Sequence, residues 1–187
     1  MRIISGNLKG KKILEPKDIQ TRPLKDLTKE SIFNIIVHSN KFNIQLENSL
    51  VLDLFSGTGS FGLECLSRGS VHVSFVENYK EVLIILKKNI INLNYQNNSI
   101  VVEQDIIKGL NYKIFQKQFD IIFLDPPYKE KRLLEILNNI FLSKVLKNNG
   151  ILIIHRHKKD KDEFPEKFRV LEEKIYGISK VIFGTFF

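Results

Sequence analysis

From residue 50 onward, short apolar runs alternate with segments of helical periodicity, and nothing else in the 187-residue sequence restricts the fold so strongly. The runs are Leu50–Phe55, Val71–Val76, Ile100–Glu103, Phe119–Leu124 and Ile151–His155. Between them Val82, Leu83, Leu86, Ile90 and Leu93 recur at helical spacing, as do Leu133, Leu134, Leu137, Phe141 and Val145. This is the pattern of a mainly parallel sheet covered on both faces, with five strands and four crossovers. Past Pro165 two further runs, Phe168–Ile175 and Ile178–Phe187, flank Tyr176-Gly177 and predict a closing antiparallel hairpin. The predicted fold is therefore α/β and Rossmann-like, a mainly parallel seven-stranded sheet ending in a hairpin.

Ahead of this core, Arg2–Ser5 and Lys11–Leu14 flank a Gly-Asn turn signal, which predicts a small hairpin. An amphipathic helix carrying Ile32, Phe33, Ile36 and Val37 follows. We expect residues 1–40 to form a basic extension packed on a core of residues 41–187, since this length suits one α/β core better than two. Residues 1–30 carry eight basic side chains against four acidic ones, half of the chain's net charge of +8. A basic arm of this kind suits a polyanion, with Arg2, Lys9, Lys11, Lys12 and Arg22 as candidate nucleic-acid contacts. The single cysteine, Cys65, excludes an internal disulfide and a cysteine-based metal centre, and its apolar neighbours predict a small buried side chain. No metal is implied. The opening run is too short for a signal peptide and no stretch is long enough to span a membrane, so a cytoplasmic protein without membrane contact is expected.

The segment Leu52-Asp53-Leu54-Phe55-Ser56-Gly57-Thr58-Gly59-Ser60-Phe61-Gly62 places a G-x-G-x-x-G between strand and helix. Alone, the glycines would equally suggest a dinucleotide site. Asp53 discriminates, because a carboxylate before the first glycine repels a pyrophosphate but attracts the cationic amino-acid moiety of S-adenosylmethionine. Glu77, followed by Asn78, ends the second strand, where a carboxylate can accept from both ribose hydroxyls. Asp105 can accept from an adenine amino group while the Ile106 N–H meets a ring nitrogen. Asp53, Glu77, Asp105 and Asp125 fall at the carboxyl ends of four successive strands, the edge where open α/β sheets bind ligands. Phe55, Gly57 and Gly59 complete the candidate cofactor set; for each acid the competing reading is a helix cap or a solvated loop carboxylate.

Asp125-Pro126-Pro127-Tyr128 directly follows the strand Phe119–Leu124. An exocyclic amino nitrogen on a base is a poor nucleophile because its lone pair is delocalised into the ring. The Asp125 carboxylate and the Pro126 carbonyl can each take an N–H and draw the nitrogen toward tetrahedral geometry. Proline fixes φ and removes backbone donors, which holds that carbonyl rigidly. Tyr128 would stack on a base taken out of its own stack. The competing reading is a strand stopped by a Pro-Pro turn with a hinge aromatic. His155, Arg156 and His157, followed by Lys158, Lys159 and Lys161, read as a solvated basic loop.

Taken with Met1-Arg2-Ile3-Ile4-Ser5-Gly6, Arg22-Pro23, Asp26, Glu30, Phe33 and Asn34, these motifs resemble the RsmD family of bacterial 16S ribosomal RNA guanine-N2 methyltransferases along nearly the whole chain. The resemblance implies the class I S-adenosylmethionine-dependent methyltransferase fold, methyl transfer to a guanine of the assembling small ribosomal subunit, and RNA contact through the basic N-terminal extension. A monomer is expected. After Arg22-Pro23 this chain has Leu24, Lys25, Leu27 and Lys29 where the family tends to have threonines and arginines, and lysine cannot supply arginine's bidentate fork. A DNA adenine-N6 methyltransferase would share both motifs but usually needs a larger target-recognition region. A protein-glutamine methyltransferase would usually carry asparagine at position 125, a dehydrogenase would not favour Asp53, and an inactive RNA-binding module would leave the Asp125–Tyr128 motif unexplained.

Overall fold

The computed structural model describes residues 1–16 and 24–187. Among these, the elements follow in the order α1 (Asp26–His38), β1 (Leu50–Leu54), α2 (Ser60–Ser67), β2 (His72–Glu77), α3 (Lys80–Asn92), β3 (Ser99–Glu103), β4 (Phe119–Leu124), α4 (Leu133–Ser143), β5 (Leu146–His157), β6 (Phe168–Tyr176) and β7 (Ser179–Phe186). One sheet has the order β3-β2-β1-β4-β5-β7-β6. β1 to β5 pair in parallel, and β7 runs antiparallel to both β5 and β6. This is the α/β, Rossmann-like seven-stranded arrangement that the alternation of runs predicts, and it agrees with the class I methyltransferase fold that the resemblance implies.

Alternation along each strand sorts its side chains between two cores. Val51, Ile121, Phe123, Ile151 and Ile153 join the cluster under α1, α2 and α3, whereas Leu52, Leu54, Ile122, Leu124, Leu152 and Ile154 join the cluster that includes α4. The crossover from β3 to β4 carries no α-helix, only a short 3-10 turn at Tyr112–Phe115. Its Ile106, Leu110, Tyr112 and Phe115 still close the second core. On the other face Phe33 of α1, Phe61 of α2 and Phe123 of β4 stack in series, with centroids 5.2 and 4.0 Å apart.

The N-terminal segment shares the first core, since Ile3, Ile13, Ile32, Phe33 and Ile36 are buried in it. The expected hairpin forms as a short antiparallel pairing around the Arg2–Lys12 bridge, with Ile3 N–H donating to the Lys11 carbonyl at 2.9 Å and Ile13 N–H to the Met1 carbonyl at 3.1 Å, and its turn is drawn onto the end of α2. Asn7 N–H donates to the Ser67 carbonyl at 2.7 Å and Leu8 N–H to Ser67 Oγ at 3.0 Å. Gly6 lets the backbones approach this closely, since a Cβ there would lie 1.8 Å from the Ser67 oxygen. Glu64, fully buried in α2, accepts from Ile4 N–H at 2.7 Å and Ser5 N–H at 2.9 Å. It also takes Arg68 Nε at 2.8 Å and faces the buried Lys29 ammonium at 3.6 Å. Lys29 in turn donates to the Arg2 carbonyl at 2.8 Å and to Ser60 Oγ at 3.1 Å. A lysine in the amphipathic helix is thus an internal tie between the N-terminal segment and the first turn of α2.

Candidate active site

The parallel strands bring their carboxyl ends to one edge, and a cavity of about 680 Å³ opens there. Asp53, Phe55, Gly57, Glu77, Asn78, Asp105, Ile106, Asp125, Pro126 and Tyr128 all line it. Gly59 does not: it begins α2 behind the lining, where a Cβ would come within 2.5 Å of Leu86. Gly62 is likewise a packing glycine, with Phe75 at 2.4 Å from the position of a Cβ. Of the three motif glycines, Gly57 is the one facing open space, and its φ of +54° suits a residue without Cβ. Ser56 Oγ donates to the Asp53 carbonyl at 2.6 Å and accepts from Val76 N–H at 2.9 Å, which locks this turn against β2.

Backbone donors fix three of the four acids. Asp53 accepts from Gly62 N–H at 3.0 Å. Glu77 accepts from Gly57 N–H at 2.8 Å and from Asn78 and Tyr79 N–H at 2.9 Å. Asp105 accepts from Ile107 N–H at 3.0 Å, and Lys108 lies 3.8 Å from its other oxygen. Burial drives the Asp53 carboxyl well above its ordinary value of 3.8, opposed by the Gly62 hydrogen bond and reinforced by the charges of Asp125 and Glu77. No cation pairs with Asp53 among the described residues. A buried carboxylate with two acidic neighbours and no protein counter-charge fits a ligand that brings positive charge, as the amino-acid moiety and sulfonium of S-adenosylmethionine do.

Asp125 has a different partner, one that the sequence reading placed elsewhere. His155 Nδ1 lies 2.7 Å from Asp125 Oδ1, and the His155 side chain is only 8% exposed. The expected basic loop at 155–157 is the end of β5, where His155, Arg156 and His157 pair with Val181, Lys180 and Ser179 of β7. Antiparallel pairing with β7 covers this end, which is why it is not solvated. Arg156 is buried and donates to the Glu130 carbonyl and Asp162 Oδ1, both at 2.9 Å, tying the segment after Asp125–Tyr128 to the loop after β5. The period-two face of Ile151 and Ile153 extends to His155, a signal overridden by the basic residues that follow. Tyr128 meets His155 and His157 edge-on, with centroids 6.2 and 5.2 Å away.

Pro16, Leu24 and Lys25, together with Lys108, Lys129 and Arg132, also line the cavity, giving an acidic interior a basic rim that composition did not single out. Arg2, Lys9, Lys11 and Lys12 are exposed but outside the lining. Arg22 lies outside the described residues. Cys65 is fully buried, as its neighbours predict.

Comparison with known proteins places this geometry in context. The family model described as "Conserved hypothetical protein 95" matches residues 1–185. "Ribosomal RNA small subunit methyltransferase D" of Buchnera aphidicola is 34% identical over 173 residues, 92% of this chain and 86% of the relative. The protein of that name from Haemophilus influenzae is 32% identical over 95% of this chain and 90% of its own length. Among solved structures, "Putative methyltransferase yhhF from Escherichia coli" superposes with a TM-score of 0.80 at 23% identity, covering 98% of this chain and 96% of that one. The match from residue 1 to 185 takes in the N-terminal segment, the Asp53–Gly62 turn and the Asp125–Tyr128 motif together, and the chain belongs to the ribosomal RNA small subunit methyltransferase D family.

Proposed function

We propose that this protein uses S-adenosylmethionine to methylate ribosomal RNA, and that the atom methylated is the exocyclic N2 of a guanine in 16S rRNA, carried in the small subunit or an assembly intermediate. The observation that carries this reading is the Asp125–Tyr128 motif on the same cavity as the buried Asp53, which no cation pairs among the described residues. Small-subunit RNA comes from the names of the relatives, and guanine N2 from the sequence resemblance. The enzyme would work in the cytoplasm as a monomer.

S-adenosylmethionine, when bound, supplies a methyl group on a cationic sulfur that leaves as a neutral thioether. Asp53 and Glu77 would hold its charged and hydroxyl-bearing parts, while Asp105 and Ile106 would hold the adenine. Asp125 and the Pro126 carbonyl would accept hydrogen bonds from the two amino N–H groups of the base and so localise its lone pair. On taking up the methyl group, the amino nitrogen would shed one proton. The Asp125 carboxylate would receive it. Tyr128 offers the extruded base a stacking face, and the basic rim offers its flanking phosphates a counter-charge.

The test is transfer of labelled methyl groups from S-adenosylmethionine by purified protein to small subunits from a strain lacking the enzyme, with duplex DNA and total protein as parallel acceptors. The reading expects label in RNA of the subunit. Label in DNA or protein alone would overturn it.

A further inference from the structure

We infer that His155 is a positioning residue for the methyl-transfer reaction: it fixes the Asp125 carboxylate through the Nδ1–H···Oδ1 bond so that the other oxygen is left for the amino group of the base. The inference rests on the proposed role of Asp125. Its physical basis is the local chemistry of the motif. An aspartate at the end of a strand is commonly oriented by a backbone N–H one or two residues on, as Asp105 is by Ile107. Asp125 is followed by Pro126 and Pro127, which have no N–H to give. The rigidity that holds the Pro126 carbonyl thus removes the donors that would steady the adjacent carboxylate.

His155 supplies the missing donor from the neighbouring strand. Leu124 pairs with Ile154 across β4 and β5, so Asp125 and His155 are the next residues along the same ladder. Their separation of 2.7 Å is that of a charge-assisted hydrogen bond. A carboxylate oxygen only accepts, so the ring proton resides on Nδ1. Nε2 is buried without a hydrogen-bond partner among the described residues and therefore offers no competing orientation. The edge of Tyr128 packs on the same ring, so one side chain steadies both the acceptor and the stacking residue. Asp125 makes no other side-chain hydrogen bond among the described residues.

Three proteins test this: wild type, His155→Ala and His155→Asn, with rates normalised to sites that bind S-adenosylmethionine. Asparagine can present an N–H near the position of Nδ1, whereas alanine cannot. The inference expects His155→Ala to lose about 10- to 100-fold in kcat with KM for S-adenosylmethionine unchanged, as for loss of positioning, and His155→Asn to recover most of that loss. Long-range ¹H–¹⁵N correlation of histidine-labelled protein should show His155 as the Nδ1–H tautomer in wild type and lose that signature in Asp125→Ala. Wild-type kcat in His155→Ala, or an Nε2–H tautomer, would overturn the inference. Wild-type protein that binds S-adenosylmethionine but methylates no RNA would overturn the proposed function, and the tautomer would still report on the hydrogen bond itself.

Discussion

Asp53 and Asp125 lie on neighbouring strands, yet their surroundings prepare them for different work. Asp53 is buried and its carboxyl binds a proton more tightly in the fold than in the unfolded chain. The stability that this contributes is complete below its ordinary value of 3.8 and is lost as pH rises through the higher folded value. Asp53→Asn should therefore unfold at a higher temperature than wild type at neutral pH without cofactor, with the difference shrinking toward pH 4. The same change should weaken S-adenosylmethionine binding at least about tenfold, since the counter-charge is gone; calorimetry and thermal melts at two pH values check both halves. Asp125→Ala should lose about a hundredfold or more in turnover while cofactor affinity stays within a few-fold, because its acceptor acts on the base. Both acids were legible in the sequence from strand ends and neighbouring glycines or prolines. His155 was not, because its significance depends on which strand lies beside β4, and His-Arg-His-Lys-Lys reads locally as a surface run.

At the scale of elements, the sequence specified the strands of the core to within a few residues, because runs buried on both faces must be apolar throughout. It was least informative where tertiary contacts override local signals. β5 extends from Leu146 to His157, well beyond the apolar run Ile151–His155, because β4 and β7 both offer it partners. The N-terminal hairpin stays short because Glu64 and Ser67 of α2 take the N–H groups of Ile4, Ser5, Asn7 and Leu8, leaving the pairing around Arg2 and Lys12. Lys29 illustrates the same limit: by composition it counts toward a basic arm, and in the fold it is buried with its pKa lowered by desolvation against the pull of Glu64. Removing one member of a buried, hydrogen-bonded charge set leaves the others uncompensated, at a cost of about 3–5 kcal/mol. Glu64→Ala should lower stability by that order in denaturant melts, and hydrogen exchange should show residues 1–16 losing protection before the sheet does. Equal protection of that segment in the variant would show that the apolar contacts of Ile3 and Ile13 hold it without Glu64.

In a chain of net charge +8, the cavity itself is lined by Asp53, Glu77, Asp105 and Asp125 within and by Lys25, Lys108, Lys129 and Arg132 at its rim. Lys9, Lys11 and Lys12 belong to a segment whose turn is bound at the Ser67 end of α2 and whose return, through the Arg2–Lys12 bridge, leads to Pro16 on the cavity lining. Replacing those three lysines by glutamine should flatten the dependence of RNA affinity on salt by about one logarithmic unit per lost phosphate contact. Replacing Lys25 and Lys129 at the rim should flatten it further, whereas an unchanged slope in both variants would move the RNA surface elsewhere. The proposed roles of Asp125 and Pro126 call for an amino nitrogen and leave the base to the family resemblance, so the identity of the methylated nucleoside is the most direct test. Small subunits lacking the modification, incubated with the protein and labelled S-adenosylmethionine and then digested for mass spectrometry, should yield label in N2-methylguanosine. Label in N6-methyladenosine would retain the Asp125 mechanism and contradict the assigned substrate.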